Sequence, residues 1–341
     1  MRFRDFQRGF SGMNRRDFLL GSAAAAAASS MSPLAGGQDV APGQDDATRA
    51  KGLDRIAVMT SMWSGRGFMA EVWGDWSKPP APLKVDMLDL PELIADQLHL
   101  HHLDVSNFNL ISMDPSYIGE FKERMRKAKT KAVDLIVEID PPETKYRGYV
   151  SVCSPDAEVR AHAIEETKKW IDIAAMLGAP SIMPNQGVGY LPGAVPRPPR
   201  PPAGSAAARR PYEPPPWNRE NLQALTPCIE GLKTVVDYGK TKGVAVILEP
   251  RGESLDELVY MIVGSGAYSN PQIGTVEGLR LLYPLARTIQ HVNLRGNLPV
   301  AIPLSKEMGF NGWFSIEAGG PPDPPIGGIQ AVIDELLKSG V

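Results

Sequence analysis

The sequence predicts an α/β fold, a (β/α)8 TIM barrel in which some units are shortened. Short apolar runs rich in Val, Ile and Leu recur along the chain, as they do in parallel strands buried on both faces. Charged or amphipathic segments that suit helices lie between most of these runs. The 341 residues are enough for one barrel of roughly 250 residues with additional segments.

The first half of the chain supplies four of the predicted strands. They are expected at residues 56–59, 101–108, 133–139 and 181–183. A helix is predicted at 91–98, where Pro91 suits the first turn. A charged helix is predicted at 115–129, where Ile118, Phe121 and Met125 have helical spacing. A third helix is predicted to run from a cap at Ser154 to residue 177, where Gly178 is a natural stop.

The second half of the chain is organised around the buried strand 243–248, which ends at Glu249. After it, Ser254 and Glu257 have the spacing of a capping box and predict the start of a helix. Residues 264–273 are predicted to be short and irregular. The remaining elements are helices at 218–242, 255–263, 276–286, 304–308 and 329–337 and strands at 289–294 and 313–317.

The N-terminus has the features of a targeting segment. Arg15 and Arg16, followed by Phe-Leu-Leu and an alanine-rich run, resemble a twin-arginine export signal, which predicts a signal peptide at 1–35. The apolar run is too short to span a bilayer, so no stable membrane anchor is expected after cleavage. Residues 36–51 are predicted to be a disordered, flexible linker. The expected location is the periplasm or another extracytoplasmic space.

A single barrel domain is predicted at 52–341, interrupted by an insertion at 186–217 that is rich in Pro, Gly, Ala and Arg. A loop of this length inside a compact domain is either functional or disordered. The composition favours a mostly disordered insertion, and a lid over the barrel mouth is the alternative.

Charge and cysteine content narrow the possible partners. The net charge of −3 gives no basic surface, so nucleic acid is an unexpected partner. Cys153 and Cys228, the two cysteines of the chain, form no CxxC motif, and the sequence predicts neither a disulfide framework nor a functional role for them.

Polar side chains lie at the ends of three predicted strands. Glu249, His291 and Glu317 each end a strand or lie close to its end, and parallel strands of a barrel direct their carboxyl ends to one face. Such a set suggests a metal site or an acid–base pair. Asp104 and Glu138 also lie near strand ends, and structural ion pairing is the simplest interpretation of both.

Several segments together carry a family resemblance: 242–250, 277–282, 291–293, 309–317, and 177–180 with Asn185. In these segments, and in its barrel size, the chain from Arg55 to the C-terminus resembles the xylose isomerase-like superfamily, the sugar phosphate isomerase/epimerase family. The resemblance rests on the whole set, since no one segment is specific enough.

The resemblance implies a divalent metal, Mn²⁺, Mg²⁺ or Co²⁺, held by Glu249, His291 and Glu317. A fourth ligand is implied at Gln272, which follows Asn270-Pro271 at the position of an aspartate in the family. Oxygen-rich ligands with one imidazole suit these ions. A neutral amide adds no charge to the site, so weak metal binding is expected.

Substrate contacts are expected from Asn185, Arg251, Arg295 and Trp63. The two arginines can stabilise an enediolate or bind an anionic group. Trp63 lies in a loop with two more tryptophans, which either stack on a sugar ring or cover the barrel mouth.

The resemblance therefore implies a metal-dependent isomerase or epimerase that acts on a sugar or related polyol. Such an enzyme removes a proton α to a carbonyl, and Glu249 and Glu317 are the expected base and acid. A lyase or dehydratase on the same scaffold is one alternative. A non-catalytic carbohydrate-binding protein with a decayed metal site is the other. The oligomeric state is not predictable from the sequence.

Overall fold

The computed structural model of the protein describes residues 42–63, 85–139, 150–186, 224–251, 253–293, 296–318 and 326–341. The predicted signal peptide, Arg295 and all of the predicted Pro-rich insertion except Gln186 lie outside the described residues.

Eight strands and nine α-helices are found in the described residues. The strands are β1 (Ile56–Met59), β2 (His102–Ser106), β3 (Lys131–Val137), β4 (Ser181–Pro184), β5 (Ala245–Leu248), β6 (Tyr268–Ser269), β7 (Ile289–Asn293) and β8 (Trp313–Ala318). The helices are α1 (Pro42–Leu53), α2 (Leu90–Leu98), α3 (Pro115–Lys127), α4 (Ala157–Leu177), α5 (Thr226–Lys242), α6 (Leu255–Ser265), α7 (Val276–Leu282), α8 (Leu298–Glu307) and α9 (Ile326–Lys338).

The strands form one parallel sheet in the order β6-β5-β4-β3-β2-β1-β8-β7, which confirms the predicted TIM barrel. Every neighbouring pair is parallel, so all eight strands direct their carboxyl ends to one mouth, where active sites of barrel enzymes lie.

Side chains bridge the seam between β6 and β7, the two ends of that strand order. The backbone N–H of His291 donates to Oδ1 of Asn270 (2.9 Å), and Nε2 of Gln290 donates to the carbonyl of Pro271 (3.0 Å). Because β6 has two residues, its ladder is too short to close the barrel by backbone pairing. The hydrogen bond to the His291 backbone holds the Asn270 side chain at this seam.

Two apolar layers stabilise the barrel. Inside it, apolar side chains from five strands pack together: Ala57, Met59, Val133, Ile136, Met183, Ile247 and Ile289. A larger layer between the strands and the helices holds most other buried apolar side chains. Buried polar side chains such as Asp104, Glu249 and His291 also lie inside the barrel.

Several helix boundaries confirm the sequence signals. Gly178 and Gly243 end α4 and α5 with φ of 81° and 73°, backbone conformations that favour glycine. Ser254 and Glu257 form the predicted capping box of α6. The cap of α4 is Asp156 rather than Ser154, since the Asp156 side chain accepts from two backbone N–H groups.

The predicted linker at 36–51 is wrong from Pro42 onward, where α1 forms. This helix packs on the C-terminal helix α9, and a Cβ on Gly52 would come within 2.6 Å of the Val341 carbonyl. Sequence composition missed α1 because its hydrophilic residues stay exposed, while tertiary contact near its C-terminal end supplies the stabilisation.

Cys153 and Cys228 form a disulfide, although the sequence predicted none. Cys153 lies just before α4 and Cys228 lies in the first turn of α5, two helices that pack side by side. The cysteines are 75 positions apart in the sequence, so no local motif indicates this pairing. Disulfides persist in oxidising compartments, which agrees with the predicted export.

Candidate active site

His291 occupies the centre of the barrel mouth, between two carboxylates from different strands. Its Nε2 lies 2.9 Å from Oδ2 of Asp104 on β2, and its Nδ1 lies 3.1 Å from Oε2 of Glu249 at the end of β5. Ser315 on β8 donates to the same Asp104 oxygen (2.7 Å). All these groups are buried. The barrel geometry thus joins residues that are up to 211 positions apart.

The two carboxylates keep His291 in its charged form. Burial alone lowers the pKa of His291, but Asp104 and Glu249 more than offset this effect, and the pKa lies well above its ordinary value. For the neighbouring Asp134 on β3, the surroundings favour the neutral form instead of the charged one. Burial, with the charge of Asp104 added, raises the pKa of its carboxyl well above the ordinary value. Burial therefore favours the neutral form of Asp134, next to the contact between His291 and the two carboxylates.

Glu249 is surrounded by donors. Oε1 lies 2.6 Å from Nε of Arg251, and Oε2 accepts from Nδ2 of Asn270 (3.0 Å) in addition to its contact with His291. The orientation of the Asn270 amide is fixed, because its oxygen accepts from the His291 backbone N–H, which can only donate. The carboxylate charge of Glu249 is thus compensated on both of its oxygens.

Glu317, on β8, lies in a different environment. Its Oε2 accepts from the amide of Gln272, a neutral donor from the loop after β6. Burial raises the pKa of the Glu317 carboxyl above its ordinary value; nearby His291 lowers it and Glu249 raises it further. Gln272 comes two positions after Asn270, which contacts Glu249, so Glu317 lies on the same side of the mouth as Glu249.

A further carboxyl, Glu138, directly follows β3 beside the site. Asn185 donates to its Oε2 (2.7 Å), and Arg251 lies 3.7 Å from its Oε1. Asn107 exchanges two hydrogen bonds with the Glu138 backbone and fixes the strand end. Burial raises the pKa of Glu138, and Arg251 acts against that shift. Arg251 therefore lies between two carboxylates.

Glu253, which contacts the backbone of Arg251, is a buried acid that the sequence analysis did not single out. Its Oε1 accepts from the Arg251 backbone N–H (3.2 Å) and from the amide of Gln186 (3.3 Å), which also donates to the Glu249 carbonyl. Burial raises the pKa of Glu253 to about 7. Gln186, the first residue of the predicted insertion, therefore connects the end of β4 to the segment that follows β5.

Because of Glu253, the stability of the protein is expected to fall as the pH rises from 4.5 to about 7. The folded-state pKa is raised, so the stabilising contribution is complete below the unfolded-state pKa and is lost as the pH passes the folded-state value. The loss amounts to about 3 kcal/mol at 1.36 kcal/mol per pKa unit. Urea unfolding across this pH range measures it.

The matched variants are Glu253→Gln and Glu120→Gln. A glutamine resembles the protonated acid and does not titrate, so Glu253→Gln should flatten the pH profile between these values. Glu120 is exposed on α3, and its replacement should leave the wild-type profile unchanged. Equal pH dependence in wild type and Glu253→Gln would contradict the assignment.

The structure brings together most of the residues that the sequence proposed. Glu249, His291, Glu317, Gln272, Asn185 and Arg251 all contribute to the mouth, whereas Arg295 lies outside the described residues. Trp63 differs: only 3 % of it is exposed and it packs in the core, which favours a role in covering the barrel over stacking on a sugar.

Two residues in direct contact with the predicted site were not proposed as site residues by the sequence. Asp104 was attributed to structural ion pairing, and the structure gives it the imidazole of His291 as its partner. Asn270 was treated as a neighbour of Gln272, but it is Asn270 that follows β6 directly and contacts Glu249. A buried acid within an apolar strand was the one available signal for Asp104.

The donor set does not fit the predicted divalent metal. Glu249 already faces a guanidinium and an amide NH₂, and Glu317 faces the amide of Gln272. Both ring nitrogens of His291 contact carboxylates. No group of three or more His, Cys, Asp or Glu residues in the described part of the chain is arranged to hold a metal ion. Both oxygens of Glu249 and Oε2 of Glu317 therefore face N–H groups in place of a cation.

The comparisons with known proteins agree with this barrel. Residues 92–273, more than half of the chain, match the model of the xylose isomerase-like TIM barrel family. Residues 12–32 match the signal sequence of the twin-arginine translocation pathway, which supports export by that route. None of the described helices is both long and apolar enough to cross a membrane. None of the curated proteins compared with the chain is similar to it in sequence.

Three solved structures have a similar fold. A xylose isomerase domain protein from Planctomyces limnophilus is 16% identical over 84% of this chain and 96% of its own, with a TM-score of 0.54. A xylose isomerase-like protein from Mycobacterium smegmatis, solved with magnesium, is 15% identical over 84% and 98%, with a TM-score of 0.54. The 3-keto-D-glucoside 4-epimerase from E. coli is 12% identical over 84% and 98%, with a TM-score of 0.55.

Sequence identities this low show only that the folds are similar. The match to the family model is the evidence for the family. The matched segment runs from α2 to the loop after β6 and includes Asp104, Glu249 and Asn270. The barrel, its polar mouth and this match together show that the chain belongs to the xylose isomerase-like TIM barrel family.

Proposed function

We propose that the protein is an isomerase or epimerase that acts on a sugar or related polyol by moving a proton at the carbon α to a carbonyl. The observation that supports this most is the pair of carboxyls in unlike surroundings. Glu249 lies against Arg251, while the pKa of Glu317 is raised by burial. Carboxyls whose environments separate their proton affinities are suited to act as base and acid.

In this proposal Glu249 takes the α-proton and Glu317 returns one, and the roles reverse for the reverse reaction. Return of a proton to the same carbon from the other face re-forms the carbonyl and gives an epimer. Return to the former carbonyl carbon gives an isomer; the hydroxyl on the α-carbon then loses its proton to become the new carbonyl, and the enediolate oxygen takes up a proton to become a hydroxyl. Arg251 stabilises the negative oxygen of the enediolate. The imidazolium of His291 holds Glu249 in position through the 3.1 Å contact.

The rim of the mouth has the groups that sugar hydroxyls require. Asn185 and Glu138, from the ends of β4 and β3, pair with each other at 2.7 Å and offer donor and acceptor atoms beside Arg251. The metal dependence expected from the sequence is not part of this proposal, because the contacts of Glu249 and Glu317 do not fit a cation.

The same misfit supports one alternative, a carbohydrate-binding protein without catalysis. Both functions predict sugar binding, and they differ in proton chemistry alone. Incubating the protein in D₂O with a panel of ketoses and aldoses, followed by NMR of the α-carbon, separates them. Deuterium incorporation into at least one sugar supports the enzyme. Saturable sugar binding without incorporation supports the binding protein.

We propose further that the mature protein works in the periplasm. Replacing Arg15 and Arg16 with lysine should retain the protein in the cytoplasm, because the twin-arginine pair is the recognition element of that export route. Cell fractionation and immunoblotting measure the distribution. An unchanged extracytoplasmic fraction would rule this route out.

A further inference from the structure

We propose that Arg251, Asn270 and Gln272 occupy the place that a divalent cation takes in a metal-dependent barrel of this kind, so that this site binds no such ion. The inference concerns the ligand chemistry of the mouth and goes beyond the proposed reaction. It rests on which atoms face Glu249 and Glu317.

Arg251 supplies the positive charge of the site. Its Nε lies 2.6 Å from Glu249 Oε1, and its NH1 lies 3.7 Å from Glu138 Oε1. The side chain is 14 % exposed, so this charge is mostly removed from water. A divalent cation bound to the same carboxylate would be repelled by the guanidinium and would compete with it for one oxygen.

Asn270 presents hydrogens where a ligand must present lone pairs. Its oxygen is committed to the backbone N–H of His291 at 2.9 Å, so its NH₂ faces Glu249 Oε2 at 3.0 Å. Turning the amide over would bring NH₂ against N–H and lose the hydrogen bond that bridges the seam between β6 and β7. The fold itself therefore keeps this donor in place.

Gln272 repeats the arrangement on the other side of the site. Its amide donates to Glu317 Oε2, and it carries no charge. Of the two carboxylates that face the centre, Glu249 is already neutralised by Arg251. The net charge left for a cation is small, and cation affinity depends strongly on the number of charged ligands.

Mn²⁺ titration of the full-length protein, with free Mn²⁺ measured by EPR, tests the proposal. The wild type should show no saturable binding up to about 1 mM, the weak end of protein cation sites. Asn270→Asp adds a carboxylate oxygen to the site. The double variant Asn270→Asp/Arg251→Gln also removes the guanidinium. Both variants should bind one Mn²⁺ per chain with a Kd of about 0.1 mM or lower, within the range of weak protein cation sites. Asn311→Asp, at an exposed position, adds the same charge elsewhere and should not bind.

Each outcome decides the proposal. Saturable binding of one Mn²⁺ per wild-type chain that disappears in Glu249→Gln would overturn it. Failure of the Asn270→Asp variants to bind, when circular dichroism shows them folded, would overturn the roles of these residues. If the double variant does not fold, the wild type and Asn270→Asp alone decide. The titration needs no substrate, so its result is independent of whether the protein isomerises a sugar.

Discussion

Replacing Asp104 with alanine is expected to lower the free energy of unfolding by about 3–5 kcal/mol, which is the usual cost of removing one partner of a buried ion pair. Asp104 is fully buried and accepts from both His291 and Ser315. Its removal leaves a buried imidazolium with one carboxylate fewer and a buried hydroxyl without its acceptor. Urea unfolding at neutral pH measures the change.

Asp104→Asn is the matched control. The amide oxygen still accepts a hydrogen bond in the same place, so this variant should lose clearly less stability than the alanine variant. Loss of the Asp104 charge should also lower the pKa of Asp134, which that charge helps to raise. A cost below about 1 kcal/mol for alanine, typical of an exposed pair, would show that the buried network is not formed.

Replacing Glu317 with glutamine is expected to reduce turnover by about 10²–10⁴-fold, the usual contribution of a positioned acid–base group. An amide of similar shape neither gives nor takes a proton, and in a two-carboxyl mechanism both directions need Glu317. Its amide oxygen can still accept from Gln272, so the fold should be retained. Deuterium incorporation into product from D₂O measures the loss.

Glu120→Gln, exposed on α3, is the control for this variant and should turn over like the wild type. Thermal unfolding checks that Glu317→Gln is folded. Turnover within about threefold of wild type, far less than the effect of an acid–base group, would remove Glu317 from the mechanism.

The sequence predicted the barrel well because its signals are local. Apolar strands, the capping box at Ser254 and the glycine stops at Gly178 and Gly243 are each readable within a few residues. The exposed helix α1 and the two-residue strand β6 were missed, since tertiary contacts rather than composition stabilise them.

The candidate site was predicted in part for the same reason. Glu249, His291 and Glu317 stand at strand ends, where position in the chain indicates position in the barrel. Asp104 lies within β2, and only the closure of the barrel brings it to His291 across 187 residues. The donor role of Asn270 depends on a hydrogen bond across the β6–β7 seam, which no sequence pattern reports.

The proposed reaction is tested most directly by a crystal structure of Glu317→Gln with the sugar that shows deuterium incorporation in the wild type. The account predicts that the α-carbon lies between the Glu249 carboxylate and residue 317, about 3–3.5 Å from each, as a near-attack geometry requires. A sugar bound with its α-carbon beyond reach of either side chain would contradict the proposed mechanism.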